Sequence, residues 1–139
     1  MILRKFILVS IFLFTVQPVL ADTGYSDNLI NNLIYCKPYK EISSVFGSDI
    51  VEEIKGWNNN KCVYKSYPKS NPEYVTTCKF NTEHLNEFKK AYQLKKNNLS
   101  MKKDFSVEGV NATITTDPYS ALFTVYSNEG TCQMPDFGF

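Results

Sequence analysis

The spacing of hydrophobic residues predicts a helix early in the chain. Leu29, Leu33 and Cys36 recur at i, i+4 and i+7, which is the spacing of one helical face. Ser26 precedes them and is a residue type that caps helix N-termini, whereas Pro38 cannot continue a helix. We therefore expect a first helix over residues 27–36, with this apolar stripe packed on the core.

Between residues 39 and 80, hydrophobic and polar residues alternate, and turn-forming residues interrupt the alternation at three places. The expected turns are Gly47-Ser48-Asp49, 58–60 and 68–72. Antiparallel pairing around them matches Ile42 with Ile54, Phe46 with Ile50, Ile54 with Tyr64, Glu53 with Lys65, Tyr64 with Thr76, and Cys62 with Cys78. The pattern predicts a four-stranded antiparallel meander.

The two faces of this meander differ in composition. The face that the first helix would cover carries Ile42, Phe46, Ile50, Ile54, Tyr64, Phe80 and two cysteines. The opposite face mixes lysines with apolar residues, and we expect a second helix or a final hairpin to pack there. If that face stays bare, it is a candidate contact face formed by Val51, Trp57, Val63 and Tyr67.

Two further elements follow the meander. After a cap at Asn81 or Thr82, a second helix is predicted by Leu85, Phe88 and Tyr92. A turn at Asp117-Pro118 then predicts a final hairpin, which pairs Val110 with Val125, Ala112 with Phe123 and Ile114 with Ala121. The expected fold is a small, disulfide-stabilised α+β domain over residues 22–139, an antiparallel β-meander covered by the N-terminal helix, the second helix and a C-terminal hairpin.

The first 21 residues have the pattern of a cleaved signal peptide. Arg4 and Lys5 precede an apolar run, and small residues lead to a cleavage position after Ala21. The apolar run is too short to span a bilayer, so no transmembrane anchor is expected after cleavage. Removing this segment changes the formal net charge from +1 to −1. The interpretation is a secreted or periplasmic protein.

The four cysteines are Cys36, Cys62, Cys78 and Cys132. An even number in an exported chain predicts two disulfides, and their wide spacing argues against a metal site. Facing positions in the predicted meander favour Cys62 with Cys78, which leaves Cys36 with Cys132. In the alternative pairing, Cys36 joins Cys62 or Cys78, and the other strand cysteine joins Cys132.

Positively charged residues are concentrated in the later part of the predicted second helix and just after it. The six lysines of this cluster are Lys89, Lys90, Lys95, Lys96, Lys102 and Lys103. They form either a solvated helix end, favoured by the helix dipole, or an anion-facing patch for an envelope component or an acidic protein. Nucleic acid is not an expected partner, because the chain is exported and few aromatic residues lie between these lysines.

No recognisable catalytic constellation is present. His84, the one histidine, is expected on the surface of the second helix. Glu52 falls on the inner face, opposite Ser44 and Ser66, and lacks the second carboxylate that glycoside hydrolysis needs. No cofactor is implied. The sequence therefore favours a non-catalytic exported binding module, such as an inhibitor, an adaptor or a cell-envelope-binding protein. The alternative is a small secreted enzyme or toxin that acts on an envelope component.

Overall fold

The computed structural model describes residues 25–97, 101–107 and 109–135, and for residues 101–107 and 110–116 it describes the backbone alone. The elements in chain order are α1 (Asp27–Ile34), β1 (Tyr39–Val45), β2 (Ser48–Asn58), β3 (Lys61–Pro68), β4 (Thr76–Phe80), α2 (Thr82–Lys96), β5 (Met101–Val107), β6 (Val110–Thr116), α3 (Pro118–Asn128) and β7 (Cys132–Gln133). This is the small α+β domain with disulfides that the sequence predicts.

Helix α1 begins where the sequence predicts and ends two residues earlier. The Ser26 hydroxyl accepts a hydrogen bond from the Leu29 amide at 3.0 Å. At the other end Cys36 has a left-handed φ of 48°, and the amides of Cys36 and Lys37 return to the carbonyls of Leu33 and Asn32. These two bonds form a Schellman motif, which satisfies the last carbonyls of the helix before Pro38.

Strands β1, β2, β3, β4 and β7 form one antiparallel sheet in that order, and β5 pairs with β6. The β1–β2 turn consists of Phe46 and Gly47 alone, and the β2–β3 turn consists of Asn59 and Asn60. All four residues have positive φ, as two-residue turns of type I′ require.

The short first turn changes the register that the sequence predicts for β1. Val45 pairs with Ser48, so Ile42 lies opposite Val51 and not opposite Ile54. The offset is an odd number of residues, and side chains alternate between faces, so every β1 side chain moves to the other face. The predicted inner positions of Ile42 and Phe46 are therefore wrong, and both residues are exposed.

The pairing of β2 with β3 is as predicted in its first half. Ile54 lies opposite Tyr64, and Glu53 lies opposite Lys65. The register then shifts between Ile54 and Gly56, which is a β-bulge. Gly56 adopts a φ of 103°, and a Cβ atom there would lie 3.5 Å from the Pro38 ring, so the left-handed backbone favours glycine at this bulge.

The disulfides are Cys36–Cys62 and Cys78–Cys132, so the favoured pairing from the sequence is wrong and the alternative is correct. The β3–β4 register lies two residues from the predicted one, which places Cys62 opposite Phe80 and Cys78 opposite Tyr64. Cys78 instead pairs directly with Cys132 of β7. Cys62 is thus left to join Cys36 at the end of α1.

The predicted C-terminal hairpin is also wrong, because residues 118–128 form helix α3. The Asp117 side chain accepts a hydrogen bond from the Ser120 amide at 3.1 Å, and Pro118 occupies the first helical position. Aspartate followed by proline is as good a helix start as it is a turn. Strand β6 therefore pairs with β5, and this hairpin contacts α3.

All three helices pack on one face of the five-stranded sheet. Each contributes to a single core, where Phe80 contacts the rings of Tyr64, Phe88, Phe123 and Tyr126. The core also includes Leu29, Ile30 and Leu33 of α1, Leu85 and Ala91 of α2, and Tyr119 and Leu122 of α3. Within the described part of the chain, no helix packs on the opposite face of the sheet.

The predicted signal peptide, residues 1–21, lies outside the described residues. Among the helices that the structure describes, none is long and apolar enough to cross a membrane.

Candidate functional site

The face of the sheet opposite the helices, here called the outer face, carries a row of apolar side chains. Ile42, Val51 and Tyr67 are direct neighbours across β1, β2 and β3. Val51 in the middle is only 4% exposed, whereas Ile42 on the edge strand is 53% exposed. Neighbouring side chains therefore shield Val51 from solvent, whereas Ile42 at the sheet edge stays accessible.

The next row of the outer face is charged. Lys40, Glu53 and Lys65 are direct neighbours across the same three strands, so the sign of the charge alternates from strand to strand. Lys55 pairs with Glu53 at 3.2 Å, and Lys79 extends from β4 on this face. Lys40, Lys55 and Lys65 are therefore the lysines next to Glu53, and with Lys79 they give this part of the face a positive charge.

The tip of the β1–β2 hairpin presents one aromatic residue to solvent. Phe46 is fully exposed, at 105% of its reference surface, and its φ of 50° lies in the left-handed region. The two strands of this hairpin pair without interruption up to Val45 and Ser48, and the Ser44 hydroxyl donates to the Asp49 carboxylate at 2.8 Å. A bulky residue is strained in this conformation, and the exposed Phe46 ring makes no buried contact that would offset the strain.

The predicted contact face is partly assembled. Val51, Val63 and Tyr67 share the outer face, but the β-bulge places Trp57 opposite Cys62 and so on the other side of the sheet. The expectation that a helix or the final hairpin covers this face is not met by any described element. Sequence reasoning missed Ile42 and Phe46, although the Phe-Gly pair could have signalled a two-residue turn.

Three lysines of the predicted cluster contact other residues of the protein. Lys90 pairs with Glu87 at 3.1 Å, and Lys96 lies over the Tyr92 ring. Lys95 lies over the Tyr119 ring and within 4 Å of the carboxylates of Asp27 and Asp117. The remaining residues are exposed Lys89 on α2 and Lys102 and Lys103 of β5, whose side chains lie outside the described part.

His84 is half-buried and has a structural role. It completes a capping box. The backbone N–H of Asn81 donates to His84 Nδ1 at 3.0 Å, and the backbone N–H of His84 donates to Asn81 Oδ1 at 2.9 Å. Burial, and then the Lys61 ammonium, lower the pKa of His84. The neutral ring therefore accepts at Nδ1.

The His84 side chain also lines two surface grooves. One, of about 460 Å³, lies between α2 and α3, and the other, of about 270 Å³, lies beside Lys61 and Lys79. Glu129 lines both grooves, and Glu52 lines neither of them.

Glu52 lies under the helices and faces a second carboxylate that the sequence reading missed. The observed register places Glu41, not Ser44, opposite Glu52, whereas Ser66 is opposite as predicted. Glu52 is 3% exposed and accepts hydrogen bonds from the hydroxyls of Tyr64 at 3.2 Å and Ser43 at 3.3 Å. Burial, and to a smaller extent the Glu41 carboxylate, raise the pKa of Glu52 to about 7.

Glu41 is held by groups from two elements. The Ser26 hydroxyl lies 2.7 and 2.8 Å from its carboxylate oxygens, and the Tyr39 hydroxyl donates to it at 2.9 Å. The carboxylates of Glu41 and Glu52 are therefore both hydrogen-bonded within the fold. This arrangement ties β1 and β2 to the N-terminus of α1.

Among the described residues, no group of three His, Cys, Asp or Glu side chains could hold a metal ion. No protein-family model matches the chain, and no significantly similar curated protein or solved structure is found.

Proposed function

We propose that the protein is an exported, non-catalytic interaction module that binds another protein through the Phe46 tip and the adjoining outer face. The observation that carries this proposal is the full exposure of Phe46 in a left-handed turn. Asparagine or aspartate would fit the first position of this turn without strain. Phenylalanine at position 46 lowers the stability of the fold. We therefore assign this residue to an interaction with another molecule.

The surroundings of Phe46 support a protein partner. Aromatic side chains that project from a rigid turn enter pockets of a partner with little loss of conformational entropy, and such anchors dominate many interfaces. Ile42 and the lysines of the outer face lie along the same hairpin and sheet. An apolar anchor with a polar rim around it matches the general arrangement of a protein interface.

The test is comparative affinity capture from the extracellular or periplasmic fraction of the source organism. The wild-type protein, Phe46→Asn and the matched control Tyr35→Asn are immobilised at equal density. Tyr35 is also an exposed aromatic residue, but it lies at the C-terminus of α1, beyond the opposite end of β1. The proposal expects a protein retained by the wild type and by Tyr35→Asn, and reduced at least about tenfold on Phe46→Asn.

Equal retention of the same proteins on Phe46→Asn and on the wild type would refute the proposal. Circular dichroism and thermal unfolding of each variant before capture ensure that lost binding does not reflect lost folding.

The enzymatic alternative would use Glu52 together with Glu41, two carboxylates that lie side by side in the register of β1 and β2. The burial of Glu52 beneath the helices makes it poorly accessible to a substrate. Turnover of an envelope polymer that Glu52→Gln abolishes, and that Phe46→Asn leaves unchanged, would favour this alternative.

A further inference from the structure

Strand β1, next to the Phe46 tip, is the edge strand of the sheet that the structure describes. Within the described part of the chain, β1 pairs with β2 alone, and its other edge has no partner strand. Seven consecutive residues, Tyr39–Val45, keep an uninterrupted register with β2. They contain no proline or bulge, two of the devices that commonly prevent another strand from pairing with a sheet edge.

The two rows of the outer face are both incomplete at this edge. In the apolar row, Val51 is buried between its neighbours, and Ile42 is exposed because none of the described strands follows β1. In the charged row, the order from β3 to β1 is Lys65, Glu53, Lys40. A strand added beside β1 would place one residue next to Ile42 and another next to Lys40. An apolar residue suits the position next to Ile42, and an acidic residue suits the position next to Lys40, because opposite charges attract across strands.

We propose that β1 accepts a strand from the partner protein, and that this strand carries an apolar residue and an acidic residue two positions apart. This inference rests on the proposed function, because the added strand runs along the hairpin that presents Phe46. Ile42 and Lys40 are two positions apart, so the two matching residues also lie two apart on the added strand. Main-chain hydrogen bonds to β1 provide affinity, and the two side chains provide specificity.

The charge of the outer face argues for an acidic segment over a basic one. Lys40 is surrounded by a face that also carries Lys55, Lys65 and Lys79. An acidic residue beside Lys40 is attracted by the Lys40 ammonium, whereas a lysine there would be repelled by it. The other three lysines lie on strands further from the edge. Together with Lys40 they discourage pairing with a basic strand.

The experiment titrates ¹⁵N-labelled protein with two synthetic peptides of alternating sequence. In both peptides, threonines occupy one face of the strand and valines the other. One central valine is replaced by glutamate in the first peptide and by lysine in the second. The glutamate peptide should shift and protect the amides of residues 39–45, and it should bind about three- to tenfold more tightly than the lysine peptide. Lys40→Glu should reverse this preference, and the control Lys89→Gln should retain it.

Two results would overturn the inference. One is binding that is equal for the two peptides or that maps away from β1. The other is a concentration-dependent change of the β1 amides without peptide, together with a dimer mass by light scattering, since a second copy would then occupy the edge. Because these peptides are tested without the captured partner, the inference can fail while the dependence of capture on Phe46 still holds.

Discussion

Glu52 shows how a single residue position can be predicted correctly while its chemical environment is not. The alternation of β2 places it on the inner face and opposite Ser66, as observed. Its neighbour on the other side depends on the β1–β2 turn, and the choice of a two-residue turn brings Glu41 there. A buried carboxylate next to another carboxylate thus follows from the register of β1 with β2, which the turn type and loop length of the hairpin fix.

The raised pKa of Glu52 predicts a fall in stability with rising pH. Below about pH 4.5 the carboxyl is protonated in both the folded and unfolded states, and above about pH 7 it is ionised in both. The folded state binds more protons between these values, so the free energy of unfolding decreases as pH rises through this window. Glu52→Gln should remove this loss and be more stable than the wild type at pH 8, by up to about 3 kcal/mol.

Urea unfolding at pH 4.5 and pH 8 measures this effect. The matched control Glu53→Gln lies on the outer face of the same strand and should keep the pH dependence of the wild type. A Glu52→Gln variant that loses as much stability as the wild type between these two pH values would contradict the assignment.

Phe46 has a backbone conformation that is unfavourable for its side chain. Its left-handed backbone costs a β-carbon-bearing residue roughly 1–2 kcal/mol, and asparagine tolerates that conformation better. Phe46→Asn should therefore raise the free energy of unfolding by about 0.5–1 kcal/mol. Thermal or urea unfolding measures the change, and a variant less stable than the wild type would show that Phe46 has a structural role.

At the scale of elements, helix starts are predicted better than the partners of strands. Ser26 and Asn81 cap α1 and α2 as the sequence indicates. The Asp117-Pro118 pair is ambiguous, because the same two residues suit a turn and a helix N-terminus. The apolar residues after it can be aligned with an alternating strand, but Tyr119, Leu122 and Tyr126 lie on one helical face and are all buried.

The assignment of α3 predicts the effect of removing its cap. Asp117→Ala should lower the free energy of unfolding by about 1 kcal/mol, because the Ser120 amide loses its acceptor. Asp117→Ser should recover most of that loss, since serine is also a good N-cap, and Ser127→Ala on the exposed face of α3 should have little effect. An Asp117→Ala variant with wild-type stability in urea unfolding would argue against a capped helix here.

At the scale of the whole molecule, the fold class follows from pattern and cysteine number, but the connectivity does not. Four cysteines allow three pairings, and the choice depends on a two-residue offset between β3 and β4. The observed bridges join the segment after α1 to β3, and β4 to β7.

Proteolysis under non-reducing conditions, followed by mass spectrometry, should yield one peptide pair that joins Cys36 to Cys62 and another that joins Cys78 to Cys132. Removing the second bridge with Cys78→Ala and Cys132→Ala together should cost about 2–5 kcal/mol, because it closes a long loop. A cross-linked peptide that contains Cys62 and Cys78 would contradict the observed register.

The outer face, which none of the described helices covers, is the property of the molecule on which the proposed function depends. Hydrogen–deuterium exchange of the protein with and without the partner retained by affinity capture measures most directly where that partner binds. Exchange should become slower in the β1–β2 hairpin, residues 39–58, and stay unchanged in α2. Protection confined to α2 and α3, around the His84 grooves or the lysine cluster, would contradict the proposed function.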